Sequence, residues 1–213
     1  MALTGCALFG FVIAHMVGNL QVFLGPEALN RYGYFLQTTP ELLWPARFGL
    51  IALAGLHIVS AVKLTQQNRA ARPVPYAHYK VVAASYASRT MMMSGLIVAA
   101  FVVYHLLHFT VQIPGINFTN QDFRVLQDAK ERHDIYKMMV VGFQQPLVSG
   151  FYVLSIALLC LHLSHGVSSM FQSMGWKNKY YGKFLDKFAL AAAVLIFVGY
   201  CSIPTAVLLG IIK

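Results

Sequence analysis

Five long stretches of this chain carry no charged side chain. They cover residues 1–26, 48–62, 90–121, 138–176 and 188–212. With the apolar residues around them, all five can cross a hydrocarbon core about 30 Å thick at about 1.5 Å per helical residue. Backbone groups in lipid must be hydrogen-bonded internally, and the alternating pattern of a membrane β-barrel is absent from the sequence. We therefore predict five transmembrane helices, at about residues 2–24, 42–64, 90–113, 146–170 and 188–211.

The composition excludes most other classes of protein. Charged residues make up 11% of the chain and hydrophobic residues 58%, whereas a soluble domain is about a quarter charged. Five spans leave no room in 213 residues for a soluble catalytic domain. The three cysteines are far apart and form no CxxC pair, which argues against a zinc site or a disulfide scaffold. The sequence predicts one all-α membrane domain over residues 1–213.

The net charge of +9 is concentrated in two connections between spans. The connection between the second and third spans contains only basic charges: Lys63, Arg69, Arg72, Lys80 and Arg89. The connection between the fourth and fifth contains Lys177, Lys179, Lys183 and Lys187 against Asp186. The positive-inside rule places both connections and the N-terminus in the cytoplasm, and the C-terminus outside. This distribution gives no reason to expect nucleic-acid binding.

The connection over residues 114–145 is the longest segment predicted outside. Its acidic and basic residues are balanced and closely mixed. We expect a short amphipathic surface helix around residues 121–137.

Six of the eight histidines fall within predicted spans, where an ionisable group is costly and often marks function. His78 and His133 lie in connections and are expected to be solvated. The other six all lie in the later half of their spans, and successive spans run in opposite directions. They therefore form two levels, about 12 Å apart by helical rise. Toward the outside are His15 with His105 or His108, and toward the inside are His57 with His162 or His165.

Two histidines from two helices at one level are the axial ligands that a b-type haem requires. The pattern thus favours two haems stacked in a four-helix bundle. Alternatives are interhelical hydrogen bonds, or a haem-free transporter that uses the histidines for zinc or proton movement. The transporter would be expected to carry carboxylates in mid-span, and these spans contain none. The cytochrome b subunit of a hydrogenase or formate dehydrogenase is a further alternative, but its usual four-helix plan fits five spans poorly.

Four segments together resemble a known family over almost the whole chain. They are AHMVGNLQVFLGPEALNRYGYFLQ (14–37), LLWPARFGLIALAGLHIVSAVKLTQQNRAARPVPY (42–76), ASRTMMMSGLIVAAFVVYHLLHFT (87–110) and GFYVLSIALLCLHLSHGVSSMFQSMGW (150–176). The chain resembles the cytochrome b558 membrane-anchor subunit of succinate dehydrogenase and fumarate reductase, in its five-helix, di-haem type. The resemblance implies that His15 pairs with His105, and His57 with His162, as haem ligands. His108 and His165 are then expected to bond a haem propionate or a backbone carbonyl, or to have a packing role.

The family resemblance also implies partners and a location. A flavoprotein subunit with FAD would oxidise succinate, and an iron–sulfur subunit would pass the electrons to this chain at its basic cytoplasmic loops. The haems would deliver them to a membrane quinone near the outer surface, and in di-haem members this quinone is usually menaquinone. The chain is accordingly expected in the lipid of a bacterial cytoplasmic membrane.

Several polar residues are candidates for contacts with the quinone or the haems. Candidates for the quinone site are Glu41, Gln37, Arg47 and Asn19, with Gln21 nearby; Arg47 could instead snorkel to the interface beside Trp44. Arg89 is a candidate partner for a propionate of the inner haem. One position departs from the family pattern: Cys160 stands where some di-haem fumarate reductases have a glutamate used for proton transfer. We therefore expect that proton path to be absent.

Overall fold

The computed structural model describes residues 1–72, residue 74 and residues 84–213. His78 and Lys80 lie outside the described residues. The described part of the chain is all-helical, with no β-strand beyond one isolated bridge between Gln127 and His133. Its helices are α1 (Ala2–Leu20, continued by a 3₁₀ turn over Gln21–Leu24), α2 (Pro26–Gln37), α3 (Pro40–Ala70), α4 (Tyr86–Arg89), α5 (Met91–His105, continued by a π-helical turn over Leu106–Thr110), α6 (Ile135–Phe143), α7 (Pro146–Ser173) and α8 (Gly182–Leu208). A further 3₁₀ turn covers Phe123–Val125.

Among the described residues, five helical segments are long and apolar enough to cross a membrane, as the sequence predicts. They are Ala2–Leu24, Pro40–Ala70, Met91–Thr110, Pro146–Ser173 and Gly182–Leu208. Several boundaries differ from the prediction. The second segment extends six residues beyond the predicted end at 64, and the fifth begins six residues before the predicted start at 188. Hydropathy locates the apolar part of a helix, but a helix continues into polar surroundings when its residues favour it.

Proline defines the first turn of three helices, α2, α3 and α7. Proline suits this position because its fixed φ is helical and its missing N–H would have no partner inside the helix. Gly25, at φ 96°, provides the turn before α2. A side chain other than glycine is strained at such a φ, so this turn separates the first span from α2.

Helix α7 lies at the centre of the packing. It contacts α8, α5 and α1, and its buried residues include Tyr152, Ile156 and Cys160. By contrast, α3 has its main contacts with α1 and α2, and no residue of α3 is buried. The helices therefore follow one another around the bundle in the order α3, α1, α7 and α5, with α8 against α7 and α1. We call the end where α1 begins the near end, and the end where α1 finishes the far end.

The predicted amphipathic helix around residues 121–137 is wrong. Most of this segment is irregular, and helix α6 begins only at Ile135. Three aspartates account for the difference, because Asp122, Asp128 and Asp134 each accept hydrogen bonds from backbone N–H groups two to four residues later. Such local bonds compete with helical hydrogen bonds, which is why aspartate favours turns and helix starts.

Helix α2 was not anticipated by the sequence analysis, which treated this region as a connection. It packs against α6 at the far end. A group of polar residues, which we call the polar cap, joins α2 to the segment before α6. Its members are Glu27, Asn30, Asp128, Lys130, Arg132 and Asp134.

Candidate functional site

His15 and His105 meet at the far-end level. His15 lies in α1 and His105 is the last residue of α5, and their ring centroids are 5.8 Å apart with the ring planes at 80°. Two imidazoles that bind one metal through nitrogen place their ring centres about 6 Å apart, given metal–nitrogen bonds of about 2 Å. The separation of these two rings therefore suits two ligands of one iron. Phe11 stacks on the His15 ring at 5.3 Å.

The spacing of the sequence left His105 and His108 as alternatives at this level. In the structure the ring that contacts His15 is that of His105. His108 is 1% exposed and lies among aromatic rings, with Phe109 at 4.0 Å and Phe123 at 5.7 Å between centroids. Its Nε2 atom is buried without a hydrogen-bond partner. His108 also lies in the π-helical turn, a feature that is often found at functional sites.

His57 and His162 lie at the near-end level. His57 in α3 lies against the first turn of α1, where a Cβ on Gly5 would be 3.4 Å from its Cε1. His162 in α7 lies against the first turn of α5, where a Cβ on Gly95 would be 3.3 Å from its Cε1. Among the described residues no ring contact joins the two imidazoles, so this pair is more open than the far-end pair.

Each near-end imidazole is fixed by one hydroxyl group. Thr4 Oγ1 lies 3.1 Å from Nδ1 of His57 and donates its proton to the carbonyl of Met1. Ser94 Oγ lies 3.1 Å from Nδ1 of His162 and donates its proton to the carbonyl of Met91. A hydroxyl has a single proton, so while that proton is on the carbonyl its oxygen can only accept, and the contact with the imidazole requires an Nδ1–H. The lone pair of each imidazole is then on Nε2, which is the form that binds a metal.

Helices α1 and α5 share a sequence pattern. A hydroxyl residue and the glycine after it precede a histidine by eleven and ten residues in Thr4-Gly5…His15 and again in Ser94-Gly95…His105. Ten helical residues correspond to about 15 Å, somewhat more than the 12 Å predicted between the levels. The sequence analysis missed Thr4 and Ser94, although this repeat would have pointed to them.

The far-end imidazoles have different partners. The Asn19 amide nitrogen donates to the His15 carbonyl at 2.8 Å and lies 3.2 Å from His15 Nε2. If a metal binds to Nε2 of His15, the Asn19 amide can donate its hydrogen bond only to the His15 carbonyl. The Tyr152 hydroxyl lies 3.4 Å from Nδ1 of His105 and 3.0 Å from Nδ1 of His108. Tyr152 is the third residue that the sequence analysis missed.

The remaining candidates lie away from the imidazoles. Glu41 and Gln37 are exposed around the α2–α3 junction at the far end. The guanidinium of Arg47 lies over the Trp44 ring, 5.1 Å from its centroid. Of the four quinone candidates, Asn19 alone has a described contact with a histidine.

At the near end, Arg89 is exposed and its guanidinium lies 6.0 Å from the centre of the Tyr86 ring. His165 bonds Ser169 one turn later, at 3.0 Å. In the described chain no group of three or more histidine, cysteine or acidic side chains is placed to hold a metal ion. Any metal held by these residues would therefore be bound by histidine pairs.

No family model matches the chain, and no curated protein or solved structure is significantly similar to it. The described residues form an all-helical fold of a multi-pass membrane protein, with five helices in that part of the chain long and apolar enough to span the membrane. Within that class, the resemblance to the cytochrome b558 subunit stays a prediction.

Proposed function

We propose that this chain is the di-haem cytochrome b membrane anchor of a succinate:quinone oxidoreductase. The observation that carries the proposal is the arrangement of four intramembrane histidines in two levels, with one pair in ring contact at 5.8 Å. Each b haem supplies a reversible one-electron couple at its iron. His57 and His162 would bind one haem, and His15 and His105 the other.

The chain's own groups support haem binding at the near-end level. Thr4 and Ser94 are placed to accept from the Nδ1–H groups of His57 and His162, and this tautomer leaves both Nε2 lone pairs for the metal. Gly5 and Gly95 allow the imidazoles to lie directly against α1 and α5. These contacts fix the rings before a ligand binds, and this lowers the entropic cost of binding.

The position of helix α3 in the bundle also supports the proposal. Helix α3 has its main contacts with α1 and α2 rather than with α5 or α7. A flat, apolar group the size of a haem needs such a separation between the helices that supply its ligands. The arrangement thus suits a prosthetic group that becomes part of the packing.

The partner surface is proposed at the near end. The start of α8 and the residues before it carry Lys179, Lys183 and Lys187, all of them exposed, whereas Lys177 pairs with Asp186 at 2.6 Å. Arg69, at the end of α3, adds to the positive charge of this end. We propose that an iron–sulfur subunit docks here and carries electrons from a flavoprotein subunit that contains FAD. The quinone, menaquinone in this proposal, would react at the far end, with Asn19 and the region of Gln37 and Glu41 as its candidate contacts.

The test of this role is reduction of the haems by succinate. The tagged chain would be purified in mild detergent from its native membranes, with its partners, and followed by optical spectroscopy. Succinate is expected to reduce b-type haem in this preparation, and an added menaquinone analogue is expected to reoxidise it. Reduction by dithionite but not by succinate, with no flavoprotein or iron–sulfur subunit in the preparation, would overturn the assignment to this complex.

A further inference from the structure

The Tyr152 hydroxyl is shared by two histidines of one helical segment. It lies 3.4 Å from Nδ1 of His105 and 3.0 Å from Nδ1 of His108. His105 and His108 are three residues apart, so both rings can face the same point on α7. Tyr152 is 5% exposed and His108 is 1% exposed. The three groups therefore depend on one another for hydrogen bonds.

The single proton of the Tyr152 hydroxyl allows two arrangements. In the first, Tyr152 donates to His108 and accepts from the Nδ1–H of His105. In the second, it donates to His105 and accepts from the Nδ1–H of His108. The buried Nε2 atom of His108 has no partner in either arrangement. It carries an unpaired N–H in the first and an unpaired lone pair in the second, so the free molecule does not by itself require the first arrangement.

A metal at Nε2 of His105 permits only the first arrangement, because that nitrogen must then carry a lone pair and Nδ1 the proton. We infer that Tyr152 is a positioning residue for His105, and that His108 serves as the acceptor of the Tyr152 proton. This inference rests on the proposed haem binding. It assigns His108 a role that neither its depth nor its spacing indicates.

The near-end level allows the same arrangement of hydrogen bonds. Thr4 and Ser94 are each placed to donate to a backbone carbonyl and to accept from the Nδ1–H of an imidazole. Tyr152 would act in the same way toward His105, with His108 in place of the carbonyl. Three of the four proposed ligands would then be oriented by a hydroxyl oxygen whose proton is bound elsewhere.

The first test is Tyr152→Phe, followed by redox titration of each haem. An accepting group on Nδ1–H makes an imidazole a stronger electron donor, which stabilises the oxidised iron. Its removal is expected to shift the midpoint potential of the far-end haem upward and leave the near-end haem unchanged. His15→Ala, which removes a far-end ligand, shows which spectral component belongs to that level.

A matched control is Tyr104→Phe. Tyr104 packs against the same His108 and Tyr152 rings, but its hydroxyl bonds the carbonyl of Ile116. The Tyr104→Phe variant is expected to leave the midpoint potentials of both haems unchanged. Equal shifts in the two tyrosine variants, or no shift in Tyr152→Phe, would overturn the inference.

The second test compares haem retention in a double variant with haem retention in its two single variants. In His108→Leu the Tyr152 proton loses its acceptor and competes for Nδ1 of His105, so retention of the far-end haem is expected to weaken about tenfold or more. In the double variant, His108→Leu with Tyr152→Phe, the competing proton is gone and retention is expected to recover to that of Tyr152→Phe alone. Simple loss of packing predicts the opposite, a double variant weaker than either single one, and that result would overturn the inference.

The inference and the proposed function fail in different ways. A folded wild-type chain that binds no haem would overturn both. A wild-type chain with two b haems, together with a Tyr152→Phe variant of unchanged far-end potential, would overturn the role of Tyr152 alone.

Discussion

Ser94 and Thr4 are small residues, yet each is placed to select which nitrogen of an imidazole carries the proton. Ser94 Oγ lies within hydrogen-bond distance of both the Met91 carbonyl and Nδ1 of His162. Hydrogen bonds of this kind hold metal-binding histidines in one tautomer and one orientation. The hydroxyl is thus as much a part of the proposed site as the ligand that it contacts.

Replacing Ser94 with alanine should affect the near-end haem alone. The Nδ1–H of His162 would lose its acceptor, so we expect an upward shift of that haem's midpoint potential and about tenfold weaker haem retention. Potentiometric titration of the purified variant measures the first, and haem content after prolonged detergent washing measures the second.

Ser164→Ala is the matched control for this change. Ser164, also in a membrane-spanning helix, makes the same kind of bond to a carbonyl three residues earlier, that of Leu161, and has no described contact with a histidine. If both serine variants behave alike, the imidazole contact is not the cause of the effect.

At the level of residues, the sequence predicted the histidines but not the groups that orient them. Depth in a span follows from counting residues, so the two levels could be predicted. The contact of His57 with Thr4, and of His105 with Tyr152, depends on how the helices are rotated about their axes. Rotation is set by packing against neighbouring helices, and span lengths alone contain little information about it.

Helix α6 depends on α2 for the start of its first turn. Asn30, in α2, accepts a hydrogen bond from the backbone N–H of Tyr136 at 2.9 Å and donates to Asp134 at 3.0 Å. The first N–H groups of a helix have no partner within it, so this asparagine completes the start of α6 from another element. Asn30 is 1% exposed, and its bonds are shielded from water.

Asn30→Ala is therefore expected to destabilise the polar cap by about 1–3 kcal/mol, the usual cost of leaving buried hydrogen-bonding groups unpaired. Amide hydrogen exchange over residues 126–143 would measure this as faster exchange. Gln37→Ala, at an exposed position of the same helix, serves as the control and should leave the exchange rates unchanged. Equal exchange in the Asn30 variant and the wild type would contradict this role of Asn30.

The polar cap should also weaken in acid. Hydrogen bonds from Arg132, and then from Lys130, lower the pKa of Glu27 to about 2, and Arg132 lowers the pKa of Asp128 to about 2. Carboxyl groups in an unfolded chain have pKa values of about 4. Because the folded pKa values are lower, the stabilisation is complete above about pH 4 and is lost as the pH falls toward 2.

Limited proteolysis with an acid-active protease would measure this loss of stability, as faster cleavage of the polar cap when the pH falls. Arg132→Gln removes the shared partner of both carboxylates and should flatten the pH dependence. Arg31→Gln, on the exposed face of α2, should retain it. A cap that is equally resistant at every pH in the wild type would contradict the ion-pair account.

The elements outside the spans were the least predictable part of the chain. The segment 121–137 has mixed charges suited to a surface helix, but its aspartates bond the backbone and hold it irregular. Helix α2 lies between two spans, and hydropathy detects apolar stretches rather than amphipathic helices at a membrane surface. Both differences arise where local hydrogen bonds or tertiary packing outweigh the composition of a segment.

For the whole molecule, the five candidate spans among the described residues predict that the two termini lie on opposite sides of the membrane. The basic connections predict that the N-terminus and the near end face the cytoplasm. A phosphatase that is active only outside the cytoplasm should therefore be active when fused after Lys213 and inactive when fused after Lys179. Activity after Lys179 but not after Lys213 would mean that the orientation is reversed.

The central claim is that two histidine pairs bind two b haems, and the haem content of ligand variants tests it most directly. The purified wild-type chain is expected to show two b-type components in a reduced-minus-oxidised redox titration. His57→Ala should remove the near-end component alone, His15→Ala should remove the far-end component alone, and the loop variant His133→Ala should retain both. A folded wild-type chain without haem, or His57→Ala and His15→Ala variants that each retain both haems, would contradict the account.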